Sequence, residues 1–180
     1  MKQVLLGSSA SVAVYKACDL ASRLTQSGVH VRTILTPNAA RMISPQLFEA
    51  VSGQPAQVDE FGEARKTSMD HIELARFAQL VVVAPASADL IGRVANGIAS
   101  DLLSTALLAI PVDVPRLLCP AMNPVMFAAP AVQRNLARLS EDGWEIVEPG
   151  AGHMACGEEG PGRLAEPIEI AARVLELLGE

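Results

Sequence analysis

Apolar residues along the chain fall into two rhythms. Short continuous runs at 3–7, 30–35, 80–84, 116–119 and 144–147 have the length and β-branched content of strands buried on both faces. Helical spacing fills 11–26, 45–51, 71–77, 88–94, 99–110, 130–140 and 167–178. Ser27-Gly28 and Asp142-Gly143 stop two of these helices, as glycine just past a helix should. The alternation predicts β-α-β units. Because crossovers between parallel strands are right-handed, the expected product is an α/β fold: a doubly wound parallel sheet, Rossmann-like or flavodoxin-like, with helices on both faces. No repeat or linker interrupts the pattern, so residues 1–180 read as one domain. The segments 53–70 and 150–163 read as irregular, and loops of that length are more often functional than idle.

In open α/β sheets ligands sit outside the carboxyl ends of the strands. Here those ends are followed by Ser8-Ser9-Ala10-Ser11, Thr36-Pro37-Asn38, Pro85-Ala86-Ser87-Ala88-Asp89, Pro120-Ala121-Met122-Asn123 and Pro149-Gly150-Ala151-Gly152. Four of the five carry small hydroxyl or amide side chains. Such an edge suits an uncharged cradle for a phosphate, held by backbone N–H groups and helix N-termini. The same residues taken singly are ordinary helix caps. Both readings stand at this point.

Composition narrows the field. Half the residues are hydrophobic and 19% are charged, over a length of 180, so the chain can bury a full core. A net charge of −6 is the opposite of the basic stripe expected of a nucleic-acid surface. No apolar run reaches the roughly 18–20 residues of a membrane helix. The opening Val4-Leu5-Leu6 breaks at Gly7-Ser8-Ser9, too early for a signal-peptide core. Three cysteines make no disulfide framework and fit a reducing, cytoplasmic compartment.

Candidate chemistry is sparse. His30 lies beside the second strand and reads as structural. His71 opens a helix with Asp70 as its expected cap; it can be a neutral base near the positive helix end or a capping surface residue. His153, in the Gly-rich segment, is either a contact or a bystander. Cys18 and Cys119 read as core thiols, whereas Cys156 sits among glycines where a thiol can reach a ligand. No Cys or His partner stands at metal-ligand spacing from any cysteine, and G-x-S-x-G, Walker and G-x-G-x-x-G patterns are missing.

Three segments coincide in order: His71-Ile72-Glu73-Leu74-Ala75-Arg76, Pro120-Ala121-Met122-Asn123-Pro124-Val125-Met126-Phe127, and Ala155-Cys156-Gly157 with Gly160-Pro161-Gly162-Arg163. Together they resemble the flavin-dependent cysteine decarboxylase family, from the first strand to about Pro167. The resemblance implies His71, Asn123 and Cys156 as catalytic residues, with Asn123 on the substrate carboxylate and Cys156 as a late proton donor. It implies Arg76 and Met126 as substrate-pocket residues and His153, Met154 and Ala155 as part of a substrate clamp spanning 150–164. It implies FMN on Ala10, Ser11, Thr36, Asn38, Ser87, Ala88, Asp89, Leu90 and Ala121. Departures from the common pattern are Ala10-Ser11 for Gly-Gly or Gly-Ser, Asp89-Leu90 for Asn-Thr, Phe127 for Trp, Glu158 for Asp and Leu164 for Met. They touch the cofactor cradle and pocket wall more than the reaction.

The implied activity is decarboxylation of 4′-phosphopantothenoylcysteine to 4′-phosphopantetheine in coenzyme A biosynthesis. Oxidising the substrate thiol to a thioaldehyde places a C=S bond β to the carboxylate, where it accepts the electrons as carbon dioxide leaves. Returning the hydride, with a proton from Cys156, makes the sequence redox-neutral, the cofactor carrying the hard step and the protein supplying orientation. The resemblance further implies a homotrimer, often assembled into a dodecamer, with histidine and flavin meeting across a subunit boundary. In many relatives this unit is fused to the synthetase that makes its substrate; the chain here stops after one C-terminal helix. Two other readings compete: a decarboxylase acting on a C-terminal cysteine of a ribosomal peptide, and an FMN-binding protein with no decarboxylation, which would have no use for His71, Asn123 and Cys156 together.

Overall fold

Side chains on successive strand positions point alternately to two separate apolar layers. This is the signature of a sheet covered on both faces. In the computed structural model, Val4 and Leu6 of β1 (Gln3–Ser8) pack into one layer and Leu5 into the other. In β4 (Leu80–Ala86), Leu80, Val82 and Ala84 face the first layer and Val81 and Val83 the second. The structure describes residues 2–60, 69–153, 157 and 159–179, with His153 as backbone only. Among them the main sheet runs β3-β2-β1-β4-β5-β6, every pair parallel, with β2 (His30–Leu35), β3 (Ala56–Gln57), β5 (Arg116–Pro120) and β6 (Trp144–Ile146). That is the doubly wound order, in which the chain reverses direction across the sheet between β1 and β4.

Helices α1 (Val14–Gln26), α3 (Pro45–Ser52) and α9 (Pro167–Leu177) supply the first layer through Leu20, Leu24, Phe48, Ile170 and Val174. Helices α4 (Asp70–Phe77), α5 (Ala88–Ala95), α6 (Leu102–Leu108) and α8 (Pro130–Glu141) supply the second through Leu74, Ile91, Leu103 and Leu136. Each fully buried Leu or Ile contributes about 1.5–3 kcal/mol. Gly7 lets Leu103 of α6 pack closely on β1: a β-carbon there would lie 2.6 Å from Leu103 Cδ1, so that side chain would have to shift.

Several local expectations change. Helix α1 begins at Val14, not Ser11, because Ser11 turns the chain first: its Oγ accepts from Ala13 N at 3.3 Å and its carbonyl from Val14 N at 3.0 Å. Helix α6 begins at Leu102 because Asp101 and Ser104 close a capping box. Asp70 is the first helical residue rather than the cap; its carboxylate is buried and accepts from Gln57 Nε2 at 3.5 Å. Within 53–70 the expected loop contains β3, a two-residue edge strand too short to show a period; residues 61–68 lie outside the described ones. The expected loop at 150–163 instead forms an antiparallel hairpin, β7 (Gly150–His153) with β8 (Glu159–Arg163). Gly152, Gly160 and Gly162 take φ values that side-chain-bearing residues rarely adopt, so no side-chain alternation marks it. Two short helices, α2 (Pro37–Ala40) and α7 (Pro124–Ala128), start on a proline behind a capping Thr36 and Asn123. No helix among the described residues is long and apolar enough to cross a membrane.

Candidate functional site

The carboxyl ends of β1 and β4 are stitched together by hydroxyls. Ser8 Oγ donates to Ala84 O at 2.7 Å and Ser9 Oγ to Pro85 O at 2.9 Å. Ser87 N in turn donates to Ser9 Oγ at 2.7 Å, so one hydroxyl bridges the two strand ends. Ser87 Oγ then caps α5 by accepting from Leu90 N at 3.3 Å. On the neighbouring strand, Asn123 Oδ1 accepts from Val125 N at 2.8 Å and Met126 N at 3.3 Å. Thr36 Oγ1 accepts from Ala39 N at 3.2 Å. The capping reading of these residues is therefore correct for Thr36, Ser87 and Asn123. Capping also fixes their orientation at the strand ends.

A cavity of about 470 Å³ opens at this edge. Its lining brings together seven of the expected residues: Ala10, Ser11, Ser87, Ala88, Ala121, Asn123 and Met126. Alanines form its smallest walls, and Val12, Ala13 and Met122 add apolar surface. A site of this size, mostly apolar with a few placed polar groups, suits a small organic molecule. The hairpin closes one side. Gly162 O accepts from Met122 N at 3.0 Å, and a β-carbon on Gly162 would stand 2.2 Å from Met122 O. Gly162, Arg163 and Leu164 thereby join the wall.

Other expected residues stand elsewhere. Asp89 is exposed and paired with Arg93 at 2.9 Å. The Leu90 side chain is fully buried in the second apolar layer, leaving only backbone to serve a ligand. Thr36 is buried and Asn38 exposed, both off the cavity wall. His71 and Arg76, on α4, are not part of the wall formed by this chain. Met154, Ala155 and Cys156 lie outside the described residues; His153 is seen as backbone in β7. His30 meets Phe77 edge-on, ring centroids 5.2 Å apart, which fits its structural reading. Cys119 is buried, and desolvation raises its pKa far above the usual thiol range, so it is chemically inert.

Sequence reasoning missed four features of this edge. Ser9 bridges the strand ends. Glu60 brings Oε1 within 2.8 Å of His71 Nδ1, a close contact that is not aligned as a hydrogen bond. Lys16 and Arg163 line the cavity, and Glu166 contacts both cations. Glu60 had no signal, lying in a segment without periodicity. Arg163 stood inside the quoted motif, and Lys16 only as a charge on an amphipathic helix. No group of three or more potential metal-ligating side chains is found among the described residues.

A parallel sheet with this strand order, and a cavity over its carboxyl edge walled by capped helix starts, defines a cofactor-binding α/β protein. The chain belongs to the Flavoprotein family, which matches residues 1–179. It is 46% identical over 169 residues, or 94% of its length, to the coenzyme A biosynthesis bifunctional protein CoaBC of Bacillus subtilis (strain 168). It spans only 41% of that relative. Among solved structures, a PPC decarboxylase cysteine-to-serine variant complexed with pantothenoylaminoethenethiol superposes with a TM-score of 0.88 at 30% identity, covering 99% of both chains. The FMN-dependent cysteine decarboxylase SpaF superposes at 0.80 and 30% identity, covering 98% of this chain and 97% of that one.

Proposed function

We propose that the protein is an FMN-dependent decarboxylase that converts 4′-phosphopantothenoylcysteine to 4′-phosphopantetheine, acting in the cytoplasm on a small-molecule substrate. The observation that carries this reading is that the small residues of the strand ends meet Asn123 and Met126 in one cavity. The residues suit a flat, phosphate-bearing ring: alanine walls leave room, while Ser11 and Ser87 offer hydroxyl groups. Ala10, Ser11, Ser87, Ala88 and Ala121 would hold FMN through their surfaces, and Thr36, Asn38, Asp89 and Leu90 through backbone or through rearrangement. Bound there, the flavin supplies reversible hydride transfer.

The chain's own residues do the rest. With Asn123 Oδ1 committed to the α7 backbone, a substrate carboxylate is met by the Nδ2 end of the amide. An uncharged donor orients the carboxylate without the strong stabilisation that a cation would give it against leaving. His71 takes and returns the proton during thiol oxidation, with Glu60 beside its ring. Cys156 delivers a proton to the carbon left after carbon dioxide departs. Arg76, Met126, His153, Met154 and Ala155 enclose the substrate. The PPC decarboxylase relative carries an ene-thiol by name, the species expected after loss of carbon dioxide. Because His71 and Arg76 lie off the cavity wall of their own chain, the reading includes a closed homotrimer, assembling into a dodecamer, in which a neighbouring copy brings them to the flavin.

The test is incubation of the purified yellow protein with 4′-phosphopantothenoyl-L-cysteine and mass spectrometry of the small-molecule fraction. 4′-Phosphopantetheine is expected. His71→Asn should stay folded and yellow without turnover, and Cys156→Ser should stall at an oxidised or ene-thiol product. A flavin-loaded wild type that yields no product, but decarboxylates a peptide ending in cysteine, would overturn the substrate assignment.

A further inference from the structure

The cavity wall carries two charged side chains among the described residues, Lys16 and Arg163, and both are cations. In a chain with net charge −6, this pairing gives the cavity a local sign opposite to that of the protein as a whole. Like charges so close would swing apart without a counter-ion. Glu166 is that counter-ion: its Oε1 lies 2.8 Å from Lys16 Nζ and 3.7 Å from Arg163 Nη2. Glu166 is itself fixed as the N-cap of α9, in a reciprocal capping box with Glu169. The hydrogen bond from Lys16 holds its carboxyl below the usual range, with Arg163 adding to the effect and partial desolvation opposing it. Lys16 is only 14% exposed, so its ammonium is tied in place rather than waving in solvent.

Both cations belong to the cavity lining and share the one carboxylate of Glu166, while the nearby Asp19 is engaged by Arg23 at 2.9 Å. The ammonium has three N–H donors and the guanidinium five, more than Glu166 can engage. We propose that Lys16 and Arg163, held by Glu166, form a receptor for a phosphate monoester on the cavity wall, with Glu166 as a positioning residue. A phosphate dianion accepts charge-assisted bonds from both cations at once, which a neutral group cannot do. The inference rests on the reading of the cavity as a flavin and substrate site. Two sources could supply the phosphate: the flavin nucleotide or the terminal phosphate of the substrate.

The experiment measures binding rather than turnover. Dissociation constants are taken for FMN against riboflavin on the flavin-free protein, and for 4′-phosphopantetheine against pantetheine on the flavin-loaded protein. Lys16→Gln and Arg163→Gln should each cut the phosphorylated-to-unphosphorylated preference at least tenfold in one of the two pairs, with the unphosphorylated ligand changing less than twofold. The pair that responds names the source. Glu166→Gln should lower the same preference and Arg163→Lys should retain most of it. If both preferences stay within twofold of wild type in both cation variants, the receptor does not exist. Failure of the decarboxylase reading shows separately, as a wild type that makes no 4′-phosphopantetheine.

Discussion

Gly162→Ala tests how the hairpin is held against the cavity. Gly162 has φ +138°, and an added β-carbon would stand 2.2 Å from Met122 O, about 0.8 Å inside the closest approach that β-carbons tolerate. The obstacle is backbone, so no side chain can rotate aside. The strained φ costs about 1–3 kcal/mol. Pushing the strand away also breaks the Met122 N to Gly162 O bond, worth about 0.5–1.5 kcal/mol net. Together these put the local cost at about 1.5–4.5 kcal/mol, or roughly 10- to 1,600-fold in the opening equilibrium at 1.4 kcal/mol per decade. The parallel sheet packs without the hairpin, so the opening should be local. Hydrogen exchange at the Met122 amide should speed up by that factor while the exchange-protected strands β1 and β4 hold. Gly157→Ala is the control: its φ is +84°, but an added β-carbon meets nothing within 4 Å. It should leave Met122 protected. Met122 exchange within twofold of wild type in Gly162→Ala would refute the docking argument.

Three further outcomes follow from the described contacts. Asn123→Asp keeps an oxygen for the α7 cap, so its Tm should stay within about 2 °C of wild type, a shift worth no more than about 1 kcal/mol. On the proposed assignment its new charge would face the substrate carboxylate, so kcat/KM should fall at least 100-fold; full activity would overturn that assignment. Burial alone would raise the Asp101 carboxyl, but hydrogen bonds from Ser104 and the Arg93 guanidinium outweigh it and hold it below the usual range. Its stabilisation is therefore complete above about pH 4 and is lost as pH falls through the lowered folded value. Denaturant unfolding of Asp101→Asn should accordingly be less stable than wild type at pH 6 and lose less stability below pH 4; parallel acid limbs would contradict the assignment. Cys119 should resist alkylation in the native protein and react only on unfolding, as mass spectrometry of labelled peptides can show.

The parallel sheet was legible because its strands are continuous apolar runs. Leu80 to Ala84 can hardly be read another way, and the order of strands and helices then leaves few topologies. Ends were less legible wherever a side chain overrode periodicity: Ser11 delays α1, Asp101 delays α6, and Asp70 turns inward to Gln57. The β7–β8 hairpin had no legible pattern, since Gly152 pairs with Gly160 without side chains and Gly162 falls at an irregularity in the register. In the site, small residues at the strand ends pointed to the edge where the cavity opens. What they could not convey was distance between segments far apart in the chain. Lys16 and Glu166 are 150 residues apart and meet at 2.8 Å. Glu60 reaches His71 from a segment without any repeating pattern.

The serine stitch between β1 and β4 has a thermodynamic side. The doubly wound sheet consists of two halves that grow outward from this seam, and the cavity lies across it, walled by Ser11 from one half and Ser87, Ala121 and Asn123 from the other. A molecule seated there binds only when both halves are folded and aligned. It acts as a clasp across the seam, adding about 2.7 kcal/mol to unfolding at a free concentration 100 times its dissociation constant. Occupancy should thus appear as resistance to heat and protease in both halves together, including strands that touch no part of the ligand. Damage to one half, such as a cavity under Phe48, should in the same way weaken ligand retention in the other.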